Sequence, residues 1–209
     1  MRRQALKIVQ VGDPVLRQRA RGLTDEEIRS RETRKLIEAM RQAMYDAPGV
    51  GLAAPQIGLS LQIAVIEDRE EYLEEVPGED LSARERKPVP FHVIINPVIL
   101  EERPSKQKET APPEAVSFYE GCLSLEGFTA LVPRARRVRV SCLDEHGKRK
   151  TIEASGWYAR ILQHEIDHLN GRLYIDRMDT RTFASLENFK QFWKGKPIEE
   201  IRAALNGKV

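Results

Sequence analysis

Several markers of familiar protein classes are scarce in this chain of 209 residues. Cysteine occurs only at 122 and 142, too few for a disulfide-stapled secreted scaffold, and a chain of this length can bury enough core without staples. No apolar run approaches the roughly 18 residues that cross a bilayer, and nothing near Met1 has the apolar centre of a secretory signal. Arg2 and Arg3 lead straight into Ile8-Val9-Gln10-Val11 and a Gly12-Asp13-Pro14 turn, so no Arg-rich transit peptide is visible, although a mature organellar form would read the same. An excess of one charge is missing too. Lys and Arg total 34 against 32 Asp and Glu, a formal net charge of +2 that argues for neither a nucleic-acid binder nor an acidic solvating chain. These absences lead us to expect one domain over 1–209 in a reducing compartment, bacterial cytoplasm or organelle, not secreted and without a membrane or direct nucleic-acid partner.

What is present is concentrated at 163–171, Gln-His-Glu-Ile-Asp-His-Leu-Asn-Gly. On a helix, His164 and His168 share one face about 6 Å apart at Cβ, close enough to hold one metal ion. Glu165 beside them is placed to act as general base, the arrangement of a His-Glu-x-x-His hydrolase. A catalytic site of this kind takes three protein ligands. The metzincin pattern would need histidine at 174, where the chain has Tyr174. Glu187 has the sequence order of a thermolysin-like third ligand but reads as surface on a C-terminal helix. Cys122, in Tyr119-Glu120-Gly121-Cys122-Leu123-Ser124, is a soft donor next to a permissive glycine, although spacing alone does not join it to the histidines. Cys142 alternates with Val138 and Val140 and reads as a core strand residue, while His92 reads as a core histidine and His146 as a solvated turn residue.

Helical periodicity predicts an amphipathic helix over 30–46, preceded by a Thr24-to-Glu27 capping box and closed before Pro48. The small-residue stretch 49–58, Gly-Val-Gly-Leu-Ala-Ala-Pro-Gln-Ile-Gly, is neither helical nor a clean strand, and suits close approach of a backbone. Strands are expected at 61–67, 91–96, 115–119, 128–132, 138–143 and 150–154, with a hairpin turn at 144–147. The helix carrying the histidines should span 157–169 and stop at Asn170-Gly171. A short strand is expected at 172–176, a helix over 180–193 and a last short helix after Pro197. The stretches 68–90 and 101–113 read as exposed excursions.

Gly-Val-Gly-Leu-Ala-Ala-Pro-Gln at 49–56, Glu-Gly-Cys-Leu-Ser at 120–124 and Gln-His-Glu-Ile-Asp-His at 163–168 together resemble, in order, the three motifs of peptide deformylase. The surroundings of Trp157 and the 177–183 segment look most like its organelle-type, type 1A-like branch. The resemblance implies an α+β fold, with mainly antiparallel strands packed around the helix that carries the motif and helices at both ends. It implies that Cys122, His164 and His168 hold one divalent ion, natively Fe(II), with Zn(II), Ni(II) or Co(II) as substitutes. Glu165 would then move the proton, with the Gln56 amide and the Leu123 backbone N–H stabilising charge on the substrate. The implied substrate is the N-formyl-methionyl end of a nascent chain, giving formate. Val50, Gly51, Tyr119 and Gly121 would pair with its backbone. Phe118 and Trp157 would receive the methionine, with Arg160 at the rim. A transient ribosome contact and a monomer or homodimer complete the implied partners.

Asp167, a charge on an otherwise buried helix, is expected to pair with Arg134. Two other readings stand beside the resemblance. A zinc endopeptidase would cut internal amides, and a metal-stabilised binding module would need no base at 165.

Overall fold

In the computed structural model, which describes residues 6–74, 76–100 and 114–207, Thr24 and Glu27 form the expected reciprocal capping box and start α1 (Asp25–Arg29). The Ser30 hydroxyl accepts from the Thr33 N–H and opens α2 (Arg31–Asp46), whose Ile37, Met40, Ala43 and Met44 are buried at helical spacing. The stretch read as neither helix nor clean strand contains a short one, β1 (Gly51–Ala53), followed by a 3-10 turn over Ala54–Ile57. Pairing supplies the reason: β1 lies antiparallel to β2 (Ile63–Asp68), with Leu52 opposite Val65. Past α3 (Gly78–Ala83), β3 (Val89–Leu100) pairs with β2. The hairpin of β4 (Ala115–Cys122) and β5 (Leu125–Ala135) precedes a second hairpin of β6 (Arg137–Leu143) and β7 (Arg149–Ser155).

Two sheets result, β1-β2-β3-β6-β7 and, with the later β8 (Ala184–Ser185), β4-β5-β8. All pairings between named strands are antiparallel. The larger sheet is covered on both faces, which is why 93–95 is apolar without alternation. Ile63, Val65, Val93 and Ile95 pack towards Ile37, Met40 and Met44 of α2. Ala64, Ile66 and Ile94 pack towards Leu162 and Ile166 of α4 (Gly156–Leu169). Each such valine, leucine, isoleucine or methionine side chain, fully buried, contributes about 1.5–3 kcal/mol.

The same helix is tied to the smaller sheet by polar bonds. Arg160 donates to the carbonyls of Val132 and Val116, and Gln163 exchanges two hydrogen bonds with the Ala135 backbone. Gly171, at φ +72, ends the helix where a Cβ would sit 2.8 Å from the Arg17 backbone. The architecture is the expected α+β arrangement around the motif helix.

Local expectations differ in three further places. The strand expected at 172–176 is a 3-10 turn, Tyr174–Asp176, because Asp176 Oδ2 takes the Leu173 N–H while Leu173 and Tyr174 sink into the core. The long helix expected over 180–193 is broken into a 3-10 turn, β8, α5 (Leu186–Asn188) and a π-helical turn to Trp193. Pairing of β8 with β5 competes with helix there, and Ser185 caps a fresh start. The last expected helix follows as α6 (Ile198–Leu205). The 68–90 excursion is not wholly exposed: Asp68 is fully buried and held in a two-bond fork by Arg86. The 101–113 loop lies outside the described residues. Cys142 is buried and both cysteines are free thiols. Among the described residues no helix is long and apolar enough to cross a membrane.

Candidate metal centre

The end of β4 and the C-terminal half of α4 bring Cys122, His164 and His168 together, with their donor atoms all within 4.8 Å of one another. Cys122 Sγ lies 3.2 Å from His168 Nε2. One thiol sulfur and two imidazole nitrogens form a donor set suited to zinc or ferrous iron. Tetrahedral bonds of about 2.3 Å to sulfur and 2.0–2.1 Å to nitrogen would place such donors roughly 3.4–3.6 Å apart. The residues therefore fit a divalent ion after only small adjustments.

Glu120, absent from the list of functional residues drawn from the sequence, orients this set. Its Oε2 lies 3.2 Å from His164 Nδ1, so that nitrogen carries the proton and Nε2 is left to ligate. Arg134 grips the same carboxylate with two bonds of 3.0 Å, and Arg160 adds a third at 2.5 Å. Arg134 also reaches Asp167, as expected, and Arg177 grips Asp167 with bonds of 2.7 and 2.8 Å. Burial alone would raise the Glu120 carboxyl, but the His164 hydrogen bond and the Arg134 charge hold it far below the ordinary range. Glu120 and Arg134 fall just beyond the strands expected at 115–119 and 128–132, so no local signal in the sequence marked the pair.

Burial pushes the His168 imidazole well below its usual pKa, keeping it neutral and able to ligate. His164 is buried too, yet its bonds to Cys122 and Glu120 outweigh burial and hold it well above the usual value. A metal arriving there displaces a proton.

Glu165 is buried, with Oε2 making no hydrogen bond, and burial raises its pKa to about 7 against the lowering charges of His164 and Arg134. A Cβ at position 51 would lie 2.3 Å from Glu165 Oε1, so only glycine lets β1 pass this carboxylate. Gln56 is buried as well. Its Oε1 accepts from the Ala53 N–H at 2.8 Å, which turns the NH₂ towards Cys122 Sγ, 3.7 Å away.

Gln56, Glu120, Cys122, His164 and Glu165 line one cleft of about 850 Å³, together with Val50, Gly51, Gly121, Leu123, Trp157 and Arg160, while His168 is buried outside its lining. Among the expected backbone partners, the Val50 carbonyl is already taken by the Glu67 N–H. Phe118 and Tyr119 are not in the cleft lining. The Phe118 ring faces the guanidinium groups of Arg84 and Arg160, and Tyr119 packs on Phe189 at 4.4 Å between centroids. Arg160 lines the cleft but spends its donors on Glu120 and backbone carbonyls. His92 bonds Tyr158 and the Pro90 carbonyl, His146 is exposed, and Glu187 is exposed on α5, so none of the three joins the centre.

Helix-borne histidines flanking an acid, closed by a third ligand from a strand, define a class: metal-dependent hydrolases of the His-Glu-x-x-His type. Comparison with known proteins narrows it. The polypeptide deformylase family model matches residues 5–184, and the chain belongs to that family. Chloroplastic peptide deformylase 1A of Solanum lycopersicum is 49% identical over 181 residues, covering 87% of this chain and 62% of the relative. Peptide deformylase 3 of Streptomyces avermitilis is 44% identical over 200 residues, covering 96% of this chain and 83% of that protein. A class I type b peptide deformylase from Acinetobacter baumannii, crystallised with Met-Ala-Ser bound, superposes with a TM-score of 0.70. It is 29% identical and covers 84% of this chain and 99% of its own. The chain spans less than two thirds of the plant relatives' length, 62% and 64%.

Proposed function

We propose that the protein removes the formyl group from the N-terminal methionine of nascent polypeptides, releasing formate. One observation carries this reading: a buried, unpartnered carboxylate oxygen of Glu165 beside the Cys122, His164 and His168 donor set, in an open cleft. Those three residues would hold the ion, for which we propose Fe(II). When bound, the ion supplies Lewis acidity and brings the pKa of a water from about 15.7 towards 7.

The chain's own residues do the rest. Glu165, with a pKa near the working pH, takes the proton of the attacking water and passes it to the departing amine nitrogen as the formyl C–N bond breaks. Negative charge growing on the formyl oxygen meets the Gln56 NH₂, whose orientation is fixed by the Ala53 N–H. The backbone N–H of Leu123 is the second donor in this proposal, each donor being worth about 3–4 kcal/mol at the transition state.

The peptide that follows the methionine finds two sheet edges. β1 and β4 are each the outer strand of their sheet, and Gly51 and Gly121 both line the cleft. An extended chain can add to such an edge by main-chain hydrogen bonds. Such a substrate places the protein where translation starts with formyl-methionine, in bacterial cytoplasm or inside an organelle.

The direct test is formate release by protein purified without oxygen, offered formyl-Met-Ala-Ser, acetyl-Met-Ala-Ser and a peptide with only internal amides. Formate from the first and no reaction with the others is expected. Cleavage of the internal amide would replace the proposal with an endopeptidase.

A further inference from the structure

Phe128 and Leu186 are large apolar side chains left 41% and 40% exposed, and both line the cleft that holds His164 and Glu165. Their positions are fixed. At the end of the family match, residue 184, the chain folds back onto the start of β5 through β8, with Phe128 opposite Ser185 and Thr129 opposite Ala184, and Leu186 lies beyond the match. The Phe183 ring stacks on Phe128 at 5.1 Å, nearly parallel at 8°. On the far side Ser185 caps α5, and Phe189 packs on Tyr119. Leu186 is thus held between two aromatic anchors, at the cleft and partly open to water.

We infer that Phe128 and Leu186 select a large aliphatic side chain at one of the two positions following the N-terminal methionine of the bound chain. This rests on the deformylase reading for what the bound chain is. The occupant follows from continuity, because these side chains share one cleft with the carboxylate at the reaction centre. Half-exposed apolar groups at an open end gain by being covered. A nascent chain must continue out of the cleft past its walls, whereas a small free substrate would not reach them.

The experiment compares kcat/KM for formyl-Met-Ala-Ser, formyl-Met-Leu-Ser and formyl-Met-Ala-Leu. One leucine peptide is expected to exceed the first by about 5–20-fold, the equivalent of partly burying one leucine. In Leu186→Ser and Phe128→Ser that ratio should fall towards one, whereas Leu186→Met should restore it. Phe192→Ser, at an exposed aromatic outside the cleft lining, should leave it unchanged. Calorimetric binding of the products Met-Ala-Ser, Met-Leu-Ser and Met-Ala-Leu gives the same comparison without turnover. A ratio near one in the wild type, or a ratio unmoved in both serine variants, overturns the inference. Formate from no peptide, with a Leu186-dependent preference still seen in calorimetry, would remove the deformylase reading and leave the inference standing.

Discussion

The two faces of α4 solve the problem of burial in opposite ways. Towards the larger sheet it presents Ala159, Leu162, Ile166 and Leu169, packed among Ala64, Ile66, Ile94 and Val140. Towards β4 and β5 it presents Arg160, His164, Asp167 and His168, against Glu120 and Arg134. The apolar face depends on volume and tolerates neighbours of similar size. The polar face depends on complete pairing, since a buried charge stripped of its partner is strongly destabilising. What the contrast teaches is a division of labour: the dry face fixes where the helix lies, and the charged face fixes how its imidazoles point.

The largest effect should follow from breaking the charged face. Glu120→Gln removes the carboxylate shared by Arg134, Arg160 and His164. It is expected to lower stability by about 3–5 kcal/mol in chemical denaturation. It should also weaken metal affinity about ten- to a hundredfold by titration, as loss of an orienting carboxylate does. A variant that loses stability but binds metal as tightly as the wild type would show that Glu120 is only structural.

Leu162→Ala on the dry face should be destabilising by about 2–5 kcal/mol through the cavity it leaves, with metal affinity retained. Equal loss of affinity in both variants would erase the distinction between the faces. A smaller effect tests the pairing beyond Glu120. Asp167→Asn and Arg134→Leu should show a coupling of about 0.5–3 kcal/mol in a double-mutant cycle, and additivity would mean the observed contact contributes nothing. Ile166→Val, which trims one methylene, should be destabilising by only about 0.5–1.5 kcal/mol.

Acid sharpens the same comparison. The folded Glu120 carboxyl is held far below its unfolded value of about 4.3, so its contribution is complete above that pH and is lost progressively as pH falls below it. Wild-type stability should therefore drop on acidification below about pH 4.3, more steeply than that of Glu120→Gln. Leu162→Ala should keep the full acid slope.

The four-residue spacing of the histidines made their shared face legible in the sequence, whereas Cys122 was joined to them only by the resemblance to the three peptide deformylase motifs. Asp167 was visible as a charge among apolar helix positions, and its tie to Arg134 followed. Glu120 was harder. Nothing local separates a carboxylate that orients a histidine from one that meets solvent, because the distinction depends on Arg134 and Arg160 arriving from other elements. Asp68 escaped for the same reason, its Arg86 partner lying across an excursion that reads as surface. The strand character of 51–53 depends on β2, and the break at 184–185 depends on β5, so neither shows in local propensity.

Metal content and formate release measured on the same oxygen-free samples of wild type, Cys122→Ala and Glu165→Gln would test the centre most directly. The wild type should carry one equivalent of metal and deformylate formyl-Met-Ala-Ser. Cys122→Ala should lose both properties. Glu165→Gln should keep its metal and lose about 10²–10⁴ in kcat, the usual worth of a general base. Wild-type turnover in Glu165→Gln, or full metal and activity in Cys122→Ala, would contradict the assignment of base and ligand.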